Sequence, residues 1–222
     1  MTRAELINLI CAHVRAKDYL EIGISKGQTL SSVIASNRTG VDPAPRLAEL
    51  EDRYRAGMNG VRMFTLESDP FFADNTETFD VIFVDGLHLY EQAIKDVLNA
   101  FNILNPGGFV IAHDLLPEKE EEAARDRDSY IWNGDVWKIM LDLNTYHPGV
   151  EKFVVNSDCG MGVLWPSDPE QRFDPVFHQE ILEADFSVYD SGKQTFMDIV
   201  EPDEHEIIRR LMARKAALKA VA

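Results

Sequence analysis

Phe79-Asp80-Val81-Ile82-Phe83-Val84-Asp85 is an almost unbroken apolar run that stops on a carboxylate. A strand wetted on one face alternates apolar and polar residues. A run that does not alternate must be buried on both faces, as in a parallel sheet covered by helices. The neighbouring segments fit that architecture. Tyr19 to Ile22 is a short apolar run ending at Gly23, followed by a helical pattern through Leu30, Val33 and Ile34. Gly40-Val41-Asp42 is a brief second strand, and Pro43 and Pro45 open a helix carrying Leu47, Leu50 and Tyr54. Val61 to Leu66 makes a third strand. After Asp85 an apolar stripe from Tyr90 to Leu104 keeps helical spacing until Asn105-Pro106-Gly107-Gly108 stops it, and Phe109 to Ala112 is the fifth strand. Val150 to Val155 and Gly162 to Trp165 read as a hairpin pair. The alternation predicts an α/β fold: a doubly wound, mostly parallel seven-stranded sheet with helices on both faces and an antiparallel last strand.

Length and charge set the outer limits. With 222 residues the chain reads as a single domain, 1–222, with a leading helix over 1–17, a first half over 18–116 and a second over 117–222 that ends in a helix. Thr2 and Glu5 form a capping-box signature for the leading helix. No apolar run reaches the roughly 20 residues of a membrane helix, and Met1-Thr2-Arg3-Ala4-Glu5 carries acid where a signal peptide would carry base, so a cytoplasmic protein without membrane contact is expected. The formal net charge of −16 would repel a duplex, which disfavours nucleic acid and favours a small-molecule ligand. A second copy of the chain stays open as a partner. Cys11 and Cys159 are too few for a disulfide framework and are expected to be plain buried thiols. The basic tail residues Arg209, Arg210, Arg214, Lys215 and Lys219 follow acidic ones in the order that suits a surface helix. The charged stretch from Glu118 to Asp128 is a solvated helix or loop, and its place after the fifth strand leaves open a lid over 117–128 or a plain wet surface.

Open parallel sheets bind ligands at the carboxyl ends of their strands. Those ends carry Glu21-Ile22-Gly23, Asp42, Ser68-Asp69, Asp85-Gly86-Leu87-His88 and His113-Asp114. The first turn lacks the GxGxxG of a pyrophosphate loop and reads Glu21-Ile22-Gly23-Ile24-Ser25-Lys26-Gly27. The glycines suit either a close ligand or a plain tight turn. Asp42, about 20 residues after Gly23, is placed to accept ribose hydroxyls, a role it would fill equally for NAD.

The turn resembles the ExGxxxG motif of class I S-adenosylmethionine-dependent methyltransferases. The longer string Phe79 to Tyr90, a helix containing Asp96, Leu104-Asn105-Pro106-Gly107-Gly108 and Phe109 to Asp114 is similar to the small-molecule and sugar O-methyltransferases of the macrocin-type branch. The resemblance covers Tyr19 to Asp114. It implies a cofactor-binding half over 18–116 and an acceptor-side half over 117–222, with Glu21, Gly23, Ser25, Lys26, Gly27, Asp42, Ser68, Asp69 and Asp85 around S-adenosylmethionine. It further implies Asp85 and Asp114 as ligands of a divalent cation such as Mg and His88, beside Asp85, as the base. Here the fifth strand ends in His113-Asp114 rather than two carboxylates, which would bring His113 into the ligand set and leaves metal dependence open. Methyl transfer needs an aligned oxygen, carbon and sulfur and the removal of one proton, and an imidazole suits the latter. Tyr130, Trp132 and Trp137 are candidates for an acceptor wall, Trp137 equally for the core. The expected function is methyl transfer to a hydroxyl of a small molecule such as a sugar or natural-product intermediate, with an amino acceptor as a variant. The alternatives are a non-catalytic scaffold of the same fold, or an NAD-dependent oxidoreductase, which the missing GxGxxG disfavours.

Overall fold

In the computed structural model, which describes the backbone of residues 1–221 and the side chains of residues 1–214, the chain opens on the expected capping box. The Thr2 hydroxyl accepts the Glu5 N–H and the Glu5 carboxylate accepts the Thr2 N–H at 2.8 Å. Two otherwise orphaned donors are thereby satisfied, and α1 (Arg3–Val14) follows. Arg15, in the left-handed region at φ 59°, reverses the chain into β1 (Asp18–Ile22). Next come α2 (Gln28–Ser32), β2 (Asn37–Val41), α3 (Asp52–Arg55), β3 (Arg62–Phe64), α4 (Ser68–Asp74), β4 (Phe79–Val84), α5 (Tyr90–Asn102) and β5 (Leu104–Ala112). An irregular stretch leads to α6 (Lys138–Tyr146), β6 (Val150–Val155), β7 (Met161–Pro166), α7 (Gln179–Leu182), α8 (Phe186–Phe196), β8 (Ile199–Val200) and α9 (Glu204–Val221).

The strand order is β3-β2-β1-β4-β5-β7-β6-β8. β7 runs antiparallel to both β5 and β6, and the other described pairings are parallel. The sheet thus has eight strands where seven were expected. The addition is the two-residue β8, which extends the edge beside β6. β6 is parallel to β5, so its carboxyl end and the turn after it come to the same rim as the ends of β1, β2, β4 and β5.

The run at β4 is buried on both faces, as its lack of alternation requires. Ile82 and Val84 face a cluster with Ile94, Val97, Leu98, Met140 and Tyr189 from α5, α6 and α8. Val81 and Phe83 face the opposite cluster with Leu6, Ile7, Ile10, Ile207 and Leu211 from α1 and α9. Each such side chain contributes about 1.5–3 kcal/mol relative to exposure. Among the described residues no helix is long and apolar enough to cross a membrane.

Several local expectations are corrected. The proline-opened helix near Leu47 is only a one-turn 3-10 segment, Leu47–Glu49, followed by α3. Its first donors are diverted: Ala44 N–H goes to Asp42 Oδ1 and Arg46 N–H to the Ser25 carbonyl. Asn105 to Gly108 does not stop the helix, which has already ended. These residues form an irregularity inside β5, where pairing to β4 shifts register between Phe79↔Leu104 and Val81↔Phe109, and Asn105 donates to Asp80. The helix expected from Gly134 begins at Lys138; of the two readings open for the acidic stretch, helix or loop, the structure has the loop, a series of turns. Arg214 is not on a wet helix face. It is buried over the rings of Phe109 and Trp165, donates to the Gly108 carbonyl, and burial brings its pKa down to about 9. The side chains of Lys215 and Lys219 lie outside the described residues. Cys11 is buried as expected, whereas Cys159 is only partly buried and lines the cleft described next.

Candidate active site

Strand order reverses between β1 and β4, and the diverging connections there leave a cleft of ≈ 1000 Å³. On the β1 side the turn is pressed against the end of β4. Gly23 has φ 85°, and a Cβ there would lie 2.0 Å from the Asp85 carbonyl oxygen, so no other residue lets the chain pass. Glu21 is buried beneath it, accepts the Tyr19 hydroxyl at 2.7 Å, and is pushed up to about 8 by burial. Asp42 braces the turn: its Oδ2 accepts the N–H of Ile24 and Ser25 at 2.9 and 2.8 Å. Three of its roughly four acceptor positions are therefore taken, counting Ala44. Ser25 lines the cleft in a left-handed conformation, and Lys26 lines it while paired with Glu49 at 3.1 Å. Gly27 stands behind the cleft wall as the N-cap of α2.

At the far end Gln92 ties the predicted pair together, donating to Ser68 Oγ at 3.2 Å and Asp69 Oδ1 at 2.9 Å. It also reaches Asp96 at 3.0 Å. Asp96 lies in the longer motif but carries no role in the sequence reading. It is buried at the cleft, and burial pushes its carboxyl up to about 6.

Across the cleft, Asp85, His88, His113 and Asp114 converge, and two further residues join them. His113 is buried, with Nδ1 3.2 Å from Asp114 and 3.4 Å from Asp85 and Nε2 3.6 Å from Asp158. Neither ring nitrogen has a hydrogen-bond partner in good geometry. Burial opposes its charge, but Asp85 and then Asp114 outweigh that and raise its pKa. Arg3, from the start of α1, pairs with Asp85 at 2.6 Å and with Asp158 at 3.1 Å. Against the cost of burial, His113 and Arg3 hold Asp85 well below the usual carboxylate range. Asp114, Asp158 and Cys159 are all in the left-handed region, at φ 62°, 47° and 62°, a concentration of backbone strain at one rim. Topology held a signal for both newcomers: α1 returns roughly 18 Å antiparallel to β1, and the β6–β7 turn opens on the same rim.

The remaining wall comes from one loop. Asn133 and Gly134 N–H both donate to the Glu122 carbonyl, while Glu122 accepts from Glu118 N–H, so the loop is closed at its base. Arg125 fastens it to Glu91 and Asp135 at 2.6 and 2.7 Å. Its Trp132 stacks on His88 with 4.9 Å between centroids and 13° between planes. His88 Nδ1 is 3.0 Å from the Trp132 carbonyl and 3.3 Å from Asp114, and Nε2 is 3.6 Å from Asp85. Burial lowers the His88 pKa, but Asp85 and Asp114 raise it further, with a net upward shift. Of the three aromatics expected at the wall only Trp132 lines the cleft. Tyr130 is 99% exposed outside it, and Trp137 is in the core against Tyr189.

The cleft is at the upper end of the size range for small-molecule sites. Its polar turn and acid-lined rim fit a nucleoside with an amino-acid tail. Asp85, His113 and Asp114 each offer a ligand atom, all within 4.8 Å of one another. With the unpartnered His113 nitrogens, this donor set fits a divalent cation that accepts mixed nitrogen and oxygen ligands better than it fits magnesium.

The family model described as a methyltransferase domain matches residues 20–115. The structure is similar to the O-methyltransferase of Bacillus cereus in complex with SAH, at 18% identity and TM-score 0.54, covering 74% of this chain and 80% of that one. It is also similar to the SAM-bound O-methyltransferase TomG of Streptomyces achromogenes, involved in tomaymycin synthesis, at 15% identity and TM-score 0.57, covering 74% and 79%. A SAH-bound methyltransferase of Podospora anserina shares 15% identity at TM-score 0.57, covering 75% and 78%. No curated protein matches the chain significantly. Residues 20–115 match the methyltransferase-domain model, and the fold is the one shared by these O-methyltransferase and methyltransferase structures.

Proposed function

We propose that the protein transfers a methyl group from S-adenosylmethionine to a hydroxyl of a small molecule such as a sugar or natural-product intermediate, with His88 as general base. The observation that carries this reading is the fixed imidazole at the switch point. Nδ1 faces two oxygens and must carry a proton to satisfy them, so in the neutral ring Nε2 bears the lone pair. Nε2 accepts the acceptor hydroxyl proton as the oxygen attacks the methyl carbon and the carbon–sulfur bond breaks. Asp85, 3.6 Å away, stabilises the imidazolium that results. On the cofactor side, Gly23, Ser25, Lys26 and the braced Asp42 hold the methionine and ribose parts, with Gly27 shaping the turn from behind. Ser68 and Asp69 serve the adenine end, and Glu21 supports the turn from below.

A divalent cation, where bound, would be held by Asp85, His113 and Asp114 and would lower the pKa of the acceptor hydroxyl. The test is calorimetric titration with S-adenosylmethionine, S-adenosylhomocysteine and NAD, followed by transfer of labelled methyl groups to a panel of sugars, phenols and amines. Selective binding of the first two with label on a hydroxyl supports the reading. Binding of NAD alone refutes it, and label on amines would replace O- with N-transfer.

A further inference from the structure

Arg3 reaches the centre of the site from the start of α1, a helix that packs on the far face of the sheet. Its Nη1 donates to Asp85 Oδ2 at 2.6 Å, while Nε and Nη2 each lie 3.1 Å from the two oxygens of Asp158. The backbone N–H of Arg3 adds a bond to Asp158 at 2.9 Å, and Ser157 donates to the Met1 carbonyl. The guanidinium is thus clamped on one edge by Asp158 and aims its remaining corner at Asp85, a planar fork used as a bracket. The oxygen group it holds is one of the three that would ligate a cation.

Three carboxylates, Asp85, Asp114 and Asp158, surround the buried His113. Buried charge of one sign must be balanced, either by an ion from solvent or by a cation of the chain. We propose that Arg3 is a built-in counter-cation of this site, beside the ring of His113, and competes with a divalent metal ion for Asp85. The chain thereby supplies in covalent form the positive charge that a metal would bring. A metal enters only by displacing a guanidinium that two hydrogen bonds to Asp158 hold in place, with the Arg3 backbone N–H adding a third to the same carboxylate. The inference concerns the charge of the site, and it rests on the proposed function only for what that charge serves.

The experiment is titration of the purified protein with Mn²⁺, followed by calorimetry and by water-proton relaxation. The same samples are titrated with S-adenosylhomocysteine and checked by thermal unfolding. The wild type binds Mn²⁺ weakly, and Arg3→Met, which keeps the packed stem, binds about tenfold or more tightly. Arg3→Lys, which keeps the charge, stays near the wild type, and adding Asp85→Asn to Arg3→Met removes the gain. Equal affinity of wild type and Arg3→Met overturns the proposal, as does a gain that survives Asp85→Asn. Should Arg3→Met not fold, Arg3→Gln takes its place with the same expected outcomes. Failure to bind S-adenosylhomocysteine would count against the methyltransferase reading and leave the Mn²⁺ comparison intact.

Discussion

Two side chains at the rim, His88 and Glu21, have ionisation behaviour that can be read directly in solution. His88 must be neutral to accept a proton, and its carboxylate neighbours raise its pKa above 6.5. kcat/KM should therefore climb with pH through a value above 6.5, and a profile flat from pH 6 to 9 would remove His88 from the base role. His88→Ala should lower kcat by about 10²–10⁴-fold while S-adenosylhomocysteine affinity measured by calorimetry stays near the wild type. Glu21 is the reverse case, an acid kept protonated. Its folded pKa of about 8 lies above the ordinary 4.5, so its contribution to stability is complete below pH 4.5 and is lost as pH rises through about 8. Glu21→Gln, which still accepts from Tyr19, should then raise Tm at pH 8.5 by roughly 2–4 °C for each kcal/mol regained, and leave it unchanged at pH 4. The rim acids were legible in the sequence because each ends a strand. Arg3 and Asp158 were not, since their meeting spans 155 positions and depends on where two separate elements finish.

Among the elements, β4 was the most legible, because a run without alternation has one physical solution. The short pieces around Pro43 and Gly134 were the least. Their helix signals lost to side chains and carbonyls from other parts of the chain, Asp42 and Ser25 in the first case and Glu122 in the second. The loop that carries Trp132 depends on Gly134, whose φ is 66° and whose added Cβ would fall 1.8 Å from the His88 carbonyl oxygen. Gly134→Ala should therefore push the loop away from His88. We expect a loss of stability of about 1–3 kcal/mol and a fall in kcat of about tenfold or more. Chemical denaturation and steady-state kinetics measure both, and retained S-adenosylhomocysteine binding would separate this effect from general unfolding. Wild-type kinetics in this variant would mean that the stack on His88 has no part in turnover.

For the molecule as a whole, charge and ligand binding should shift a stability that the buried core sets. A net charge of −16 makes the folded state repel itself, so Tm should rise as ionic strength increases from about 10 mM to 150 mM. A fall would mean that ion pairs such as those of Arg125 and Arg3 outweigh the repulsion. Saturation with S-adenosylhomocysteine at about 100 times its Kd should add about 2.7 kcal/mol, visible as a higher Tm in calorimetry, with no shift expected from NAD. The doubly wound sheet was legible from strand and helix alternation alone, whereas its two-residue eighth strand was too short to leave a pattern. The loop closed at Glu122 by Asn133 and Gly134 has a consequence for how such a protein diversifies. Its two ends meet at one point, which makes it an Ω-loop, and lengthening or replacing a loop of this kind costs little chain entropy. The wall over His88 can therefore be rebuilt in a single insertion or exchange while every strand stays in register, so one lineage can change what faces His88 and leave the strand ends across the cleft untouched.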